Sequence, residues 1–255
     1  LAENATLADF SAYVDERALL PIERWAEGED YVWYSSPMYN SDLRAGIAGD
    51  SALDGRALRA LADGKPFLLL KYDYFRWRVC AAEALAMGGI VFGNWKGGWS
   101  GGADREEPHL KTYFQFIRDL DPVLKGRKHH AEIGLLYPRR ALFNGDASFF
   151  DPLRDLGRAL IAGHFLFDIL LDERLTPERL AECRAILVPS VQALSAETIQ
   201  LLQRYRQNGG IVITPEPPRG TPFPKGWKTL RSDLKNRTNL ALEIRANVQS
   251  LSNIT

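Results

Sequence analysis

The sequence predicts an α/β protein in which βα units follow one another in two blocks. Short apolar runs of strand length, "KPFLLL", "IVFGNW", "AEIGLLYP" and "RAILVPS", alternate with longer segments of helical periodicity that close on glycine. Uninterrupted apolar strands of this kind lie inside parallel sheets, whose strands need crossover connections. A third observation divides the chain: "DPVLKGRKH" (121–129), polar with Pro, Gly and a basic run, interrupts the alternation and marks a domain boundary.

Taken in order, residues 7–27 carry apolar positions at helical spacing, with Pro21 as a break or a fresh start. "DYVWYSS" (30–36) reads as a strand, and "PMYNSDLRAGIAGDS" (37–51) as a long loop. "DGRALRALADG" (54–64) is a helix closed by Gly64, "KPFLLL" a buried strand, and "FRWRVCAAEALAMG" (75–88) a helix closed by Gly88 or Gly89. "IVFGNW" is the next strand, and after a Gly-rich loop "EPHLKTYFQFIRDL" (107–120) is another helix. Three β-loop-α units do not close a barrel; either they belong to an open sheet or further strands precede Leu1.

Beyond the boundary the alternation restarts. "AEIGLLYP" and "FDILLDER" are strands separated by the helix "DPLRDLGRALIAGH" (151–164). "TPERLAEC" is a short helix capped by Thr176 with Pro177 in its first position, and "RAILVPS" a strand. "SAETIQLLQRYRQNGG" is a helix capped by Ser195 and ending at Gly209 or Gly210, and "IVITPE" the last strand. This succession is the mark of a doubly wound parallel sheet. The Pro- and Gly-rich stretch 215–227 reads as a surface crossing, and "LALEIRANVQSL" (240–251) as a strand of a further sheet. Leu1 in place of an initiator Met, and the strand-like "NVQSLSNIT" at the end, suggest an internal piece of a longer protein.

Composition narrows the function. The 255 residues hold 32 Lys+Arg against 32 Asp+Glu, so no basic excess points to nucleic acid or to an anionic membrane surface. No apolar run reaches the roughly 18 residues of a spanning helix, which favours a soluble chain, with the cytoplasm slightly preferred. Cys80 and Cys183 read as buried thiols rather than a disulfide, and the four histidines lack metal-ligand spacing, so neither a metal nor a cofactor is expected. There is no G-x-S-x-G elbow, and Cys183 precedes its strand instead of following one, a poor place for an amidotransferase nucleophile.

In parallel α/β units the reactive end is where strands finish. Asp73 stands just past "PFLLLK", Trp95 holds the same place after "IVFGN", and Tyr34 to Tyr39 follow "YVW". A carboxylate among Tyr72, Tyr74, Trp77 and Trp95, with Lys71, Arg76 and Arg78 nearby, suits a sugar: aromatic faces stack on its rings while charged groups bond its hydroxyls. The loop "GNWKGGWSGG" lacks the phosphate-loop pattern and reads as a flexible lid with Trp99 as a stacking platform. Each residue also has a plainer reading. Asp73 can serve as a helix N-cap, Arg76 and Arg78 as surface ion-pair partners, and Glu83 as a helix charge.

The segment "GKPFLLLKYDYFRWRVCAAEALAMGGIVFGNW", the helix "HLKTYFQFIRDLDPVL", and then "HAEIGLLYP", "FDILLDE" and "RAILVPSVQALSAETIQLLQRYRQNGGIVITPE" resemble family 42 glycoside hydrolases of the β-galactosidase type and related glycosidases. The resemblance covers about residues 31–216 and implies three domains. Residues 1–125 would be the C-terminal βα units of a TIM barrel. Residues 126–220 would be a flavodoxin-like, class I amidotransferase-like domain that mediates trimerisation, and 221–255 a linker with the start of a further strand region. It implies hydrolysis of β-linked sugars by retaining double displacement, with Asp73 in the nucleophile position, where the family usually has Glu, one methylene longer. The sugar contacts would be Tyr34, Tyr39, Lys71, Tyr74, Arg76, Trp95 and Trp99. Such chemistry needs a second carboxyl about 5–5.5 Å away, which in that family lies on a barrel strand this chain does not contain, so the chain alone is expected to be inactive. The alternative is a non-catalytic carbohydrate-binding or oligomerisation module of a glycosidase-like protein.

Overall fold

The computed structural model describes residues 30–35, 49–70, 74–92, 110–127, 129–218 and 220–249. They hold eight strands and eight α-helices in two compact units that divide between His129 and His130.

In the first unit β1 (Val32–Ser35), β2 (Phe67–Leu70) and β3 (Ile90–Phe92) form a parallel sheet in chain order. The crossovers carry α1 (Asp50–Ala62) and α2 (Tyr74–Ala86), and α3 (Leu110–Leu124) follows β3. Val32, Phe67 and Leu69 from the sheet are buried, as are Leu58 and Leu61 of α1 and Cys80 and Ala84 of α2. The first helix starts at Asp50, four residues before the expected "DG", because Glu83 of α2 supplies what the local sequence lacks. Its carboxylate accepts from Gly49 N and Ala52 N, each at 3.0 Å, satisfying orphan donors at the start of α1. The helix α3 runs on through Pro122 into the stretch expected to be a break. So close to the helix end, proline removes one backbone bond without stopping the chain.

The second unit is a five-stranded parallel sheet. Its strands are β4 (Ile133–Tyr137), β5 (Phe167–Leu171), β6 (Ala185–Leu187), β7 (Ile211–Pro215) and β8 (Lys228–Leu230), in the order β5-β4-β6-β7-β8. The helices are α4 (Arg139–Phe143), α5 (Phe150–Ala162), α6 (Pro177–Ala181), α7 (Ala196–Gln207) and α8 (Arg237–Gln249), with a 3-10 turn at Asp172–Arg174. Alternate strand residues serve opposite faces. Leu136, Leu170, Ile186, Val188 and Val212 pack with Leu180 of α6 and Leu202 and Tyr205 of α7 in one apolar cluster. On the other face Tyr137 meets Phe149 and Phe150 at the start of α5. Thr176 and Ser195 cap their helices as the sequence indicates, accepting from Arg179 N at 3.2 Å and Thr198 N at 3.1 Å.

The segment expected to be a strand of a further sheet is instead the helix α8, lying against α5. Leu240, Ala241, Ile244 and Val248 are buried, a helical stripe rather than a strand alternation, and Asn236 Oδ1 caps the start by accepting from Asn239 N. Lys235 pairs with the buried Asp155 of α5 at 2.8 Å, and Arg245 lies 4.6 Å over the Phe165 ring while donating to Gly163 O. Residues 221–249 therefore complete the second unit rather than leading out of it. The expected surface crossing instead links β7 to β8, and just past β8 the Glu243 carboxylate accepts from Arg231 N and Ser232 N at 2.9 Å.

Where α7 turns into β7, Gly210 lies under the Tyr205 ring, whose hydroxyl donates to Cys183 O at 2.9 Å. A Cβ on residue 210 would fall 2.2 Å from Tyr205 Cζ. Gly210→Ala should therefore destabilise the fold by about 1–3 kcal/mol, read as a lower denaturant midpoint at unchanged slope.

Candidate functional site

Parallel pairing brings the carboxyl ends of the first unit's strands to one level. Ser35 pairs with Leu70, and Leu70 with Phe92, at the last position of each strand. The segments that leave this edge carry the residues expected to meet a sugar. Of these, Tyr39, Lys71, Asp73, Trp95 and Trp99 lie outside the described residues. Tyr34 is the third residue of β1, Tyr74 opens α2, and Arg76 follows two residues later. Strand register and helix start thus place Tyr34, Tyr74 and Arg76 at the same edge.

Behind that edge the helices are tied by polar contacts from residues of no expected function. The helix charge expected at Glu83 is the carboxylate that caps α1, as described above. Arg59 Nη1 donates to Met87 O at 3.0 Å, fixing α1 to the end of α2. Arg56, 8% exposed, donates to His129 Nε2 at 3.3 Å. Tyr113 of α3 donates to Ala81 O at 2.8 Å, and burial, with the neighbouring Cys80, pushes its phenol up to about 12.

In the second unit one group of charged residues stands at the carboxyl edge. After β4 come Arg139 and Arg140, and after β5 Asp172 and Glu173, none of which the sequence reading singled out. The signal was present: "YPRR" and "LDER" put charges directly after apolar strands, the same criterion that selects Asp73. Arg139, 1% exposed, forms an ion pair with Glu173 Oε1. Asp172, 3% exposed, accepts from Arg140 N at 3.3 Å, and the Arg140 guanidinium reaches Glu197 of α7 at 2.8 Å. The oxygens Asp172 Oδ2 and Glu173 Oε2 are buried without a donor, so a proton on either carboxyl lets one bond the other. Burial comes first, then the hydrogen bond and charge of Glu173, in pushing the Asp172 carboxyl up to about 7 against the opposing pull of Arg140. Burial likewise raises the Tyr137 phenol, which stays neutral.

At the opposite, amino-terminal edge of this sheet a cavity of about 390 Å³ opens between α6 and α7, lined by Leu180, Cys183, Arg184, Leu201, Arg204 and Tyr205. The Cys183 thiol is pushed up to about 11 by burial, with Arg179 opposing and Asp168 and Glu182 adding to it, so it is a protonated wall rather than a nucleophile. Among the described residues no three His, Cys, Asp or Glu side chains gather as metal ligands, and no helix is long and apolar enough to cross a membrane.

Solved structures of similar fold include glycoside hydrolases. Gan42B, a GH42 β-galactosidase, matches with a TM-score of 0.55 at 19% identity over 84% of this chain and 38% of its own. The exo-β-1,4-mannosidase Op5Man5 from Opitutaceae bacterium strain TAV5 matches with a TM-score of 0.51 at 13% identity, covering 82% of this chain and 43% of its own. The α-L-fucosidase isoenzyme 2 from Paenibacillus thiaminolyticus matches at 0.47 and 18% identity, over 65% of this chain and 27% of its own. The chain has a glycosidase-like fold and spans less than half the length of these proteins. No protein-family model matches the sequence, and no curated protein matches it.

Two outcomes follow from the polar contacts. Glu83→Ala leaves the Gly49 and Ala52 amides without their acceptor and should cost about 1–2 kcal/mol, measured by chemical denaturation. Asp172 binds its proton more tightly in the fold than in the unfolded chain, where aspartate titrates near 4. The folded state is therefore favoured at low pH, and stability should fall as pH rises from about 4 to about 7, then level off. In Asp172→Asn this component of the slope should vanish, which melting curves of both proteins across pH 4–8 would reveal.

Proposed function

We propose that residues 1–125 are the C-terminal βα units of a (β/α)8 glycosidase barrel, and that the parent protein hydrolyses β-linked sugars by retaining double displacement. The observation that carries this reading is the register of β1, β2 and β3, whose carboxyl ends stand level at Ser35, Leu70 and Phe92. In barrel enzymes that edge bears the chemistry, and Asp73 comes three residues after it. The likeness in fold to a β-galactosidase and a β-mannosidase supports the same reading.

In this proposal Asp73 attacks the anomeric carbon and a carboxyl from elsewhere in the barrel protonates the leaving oxygen, then activates water. Tyr34, Tyr39, Tyr74, Trp95 and Trp99 offer faces to the sugar rings, while Lys71 and Arg76 bond hydroxyls. The second unit is the flavodoxin-like, amidotransferase-like domain, a reading its strand order of 2-1-3-4-5 in chain sequence supports. Its part is to assemble the protein, as a trimer. Cys183, whose thiol is pushed up to about 11 by burial, has no part in this reading.

The experiment is hydrolysis of a panel of aryl β-glycosides by the full-length protein and by its Asp73→Asn variant. Turnover in the parent, and its loss in a variant that melts at the same temperature, is the expected result. Equal turnover in both removes Asp73 from the mechanism. Binding of the sugars with no turnover in either would favour the non-catalytic module, which the shorter Asp at this position already allows.

A further inference from the structure

The cavity between α6 and α7 lies at the amino edge of the second sheet, and the proposed glycosidase chemistry, which belongs to the first unit, does not use it. Its volume, about 390 Å³, falls in the range of roughly 300–1,000 Å³ typical of small-molecule sites. The interior is apolar. Pro177 and Leu180 come from α6, Leu201 and Tyr205 from α7, and Cys183 from the turn before β6. The Tyr205 hydroxyl is committed to Cys183 O, and burial keeps the Cys183 thiol protonated and neutral.

The rim is of another kind. Arg184 and Arg204 both line the cavity and are both exposed, one ahead of β6 and the other in the last turn of α7. Among the described residues neither guanidinium has an ion-pair partner. The carboxylates that act on Cys183, Asp168 and Glu182, are both held by Arg179, which is not part of the lining. The carbonyls that end the two helices, which would repel an anion, are taken by the turns that follow. Cys183 N donates to Leu180 O, Asn208 N to Arg204 O, Gly209 N to Arg206 O and Gly210 N to Tyr205 O. What remains at the mouth of an apolar cavity is positive charge from two guanidinium groups.

We infer that this cavity binds a small organic carboxylate, its apolar ring or chain seated between α6 and α7 and its carboxylate held at the mouth by Arg184 and Arg204. The planar fork of a guanidinium matches a carboxylate, and two such groups exceed what a neutral ligand needs. The charged end stays at the exposed rim, so it is not stripped of water, while the apolar body gains from burial. An inorganic anion would use the rim alone and a neutral apolar molecule the interior alone; the site asks for both in one molecule.

The experiment is a titration of the whole chain with 3-phenylpropionate, followed by its amide NMR signals, beside the neutral analogue 3-phenylpropanamide and inorganic phosphate. The carboxylate should give saturable shifts centred on the amides of residues 180–184 and 204–210, and each of the other two should bind at least about tenfold more weakly. The double variant Arg184→Gln/Arg204→Gln changes exposed side chains only and leaves the core intact. It should bind the carboxylate about tenfold or more weakly than the wild type, with the weak binding of the amide analogue unchanged. Absence of saturable shifts at these amides with the carboxylate overturns the site, as does equal affinity in the double variant. Equal affinity for the carboxylate and its amide analogue, or for the carboxylate and phosphate, overturns the two-part recognition.

Discussion

Every pairing between neighbouring strands in both sheets is parallel, and the placing of the chemistry follows from that constraint. A parallel pair cannot be joined by a hairpin; each strand needs a crossover that returns the chain to the starting edge. All strand ends then face the same way, and the segments leaving them collect at one side. The crossovers cover the sheet, so a strand has little room for charge along its length. Within β4 the five residues are all buried, and the two arginines appear only after Tyr137. Asp172 and Glu173 likewise come directly past β5, although β5 itself carries the buried Asp168.

Charges displaced to the strand ends then bind neighbouring elements together. Asp172 accepts the Arg140 amide near the start of α4, and Arg139 is tied to the turn after β5, so two strand ends are joined by their own exits. Buried ion pairs of this kind repay little of their desolvation cost, but removing one partner is severe because it strands the other. Their value lies in fixing which exits meet. In the first unit Glu83 has a comparable role by a different route, with one helix furnishing the cap that another lacks.

The sequence pattern revealed most of the strands, because a parallel strand announces itself as a short apolar run between glycine-closed helices. It also revealed the caps at Thr176 and Ser195, where a single side chain reaches its own helix. It failed where a decision rests on distant residues. Asp50 does not look like a helix start until Glu83 is beside Gly49, and "LALEIRANV" does not look helical until α5 offers a surface for Leu240, Ile244 and Val248. Three-residue β8 carries too short a pattern to be recognised alone; it pairs because β7 already presents an edge. For the site, the strand-end criterion selected Asp73, which lies outside the described residues, and passed over Asp172 and Glu173, since charge in "LDER" resembles an ordinary surface turn until its burial is known.

The Glu243 contact just past β8 bears on how the second sheet ends. An edge strand offers backbone groups on which another chain can build, and long flat edges are a route to aggregation. Here the last strand is three residues long, begins with Lys228 and is followed by Arg231. The amides of Arg231 and Ser232, which a longer strand would offer to a newcomer, are already given to a carboxylate of α8. A helix that the sequence disguises as a strand thus deprives the sheet's margin of the groups on which a stray chain could template.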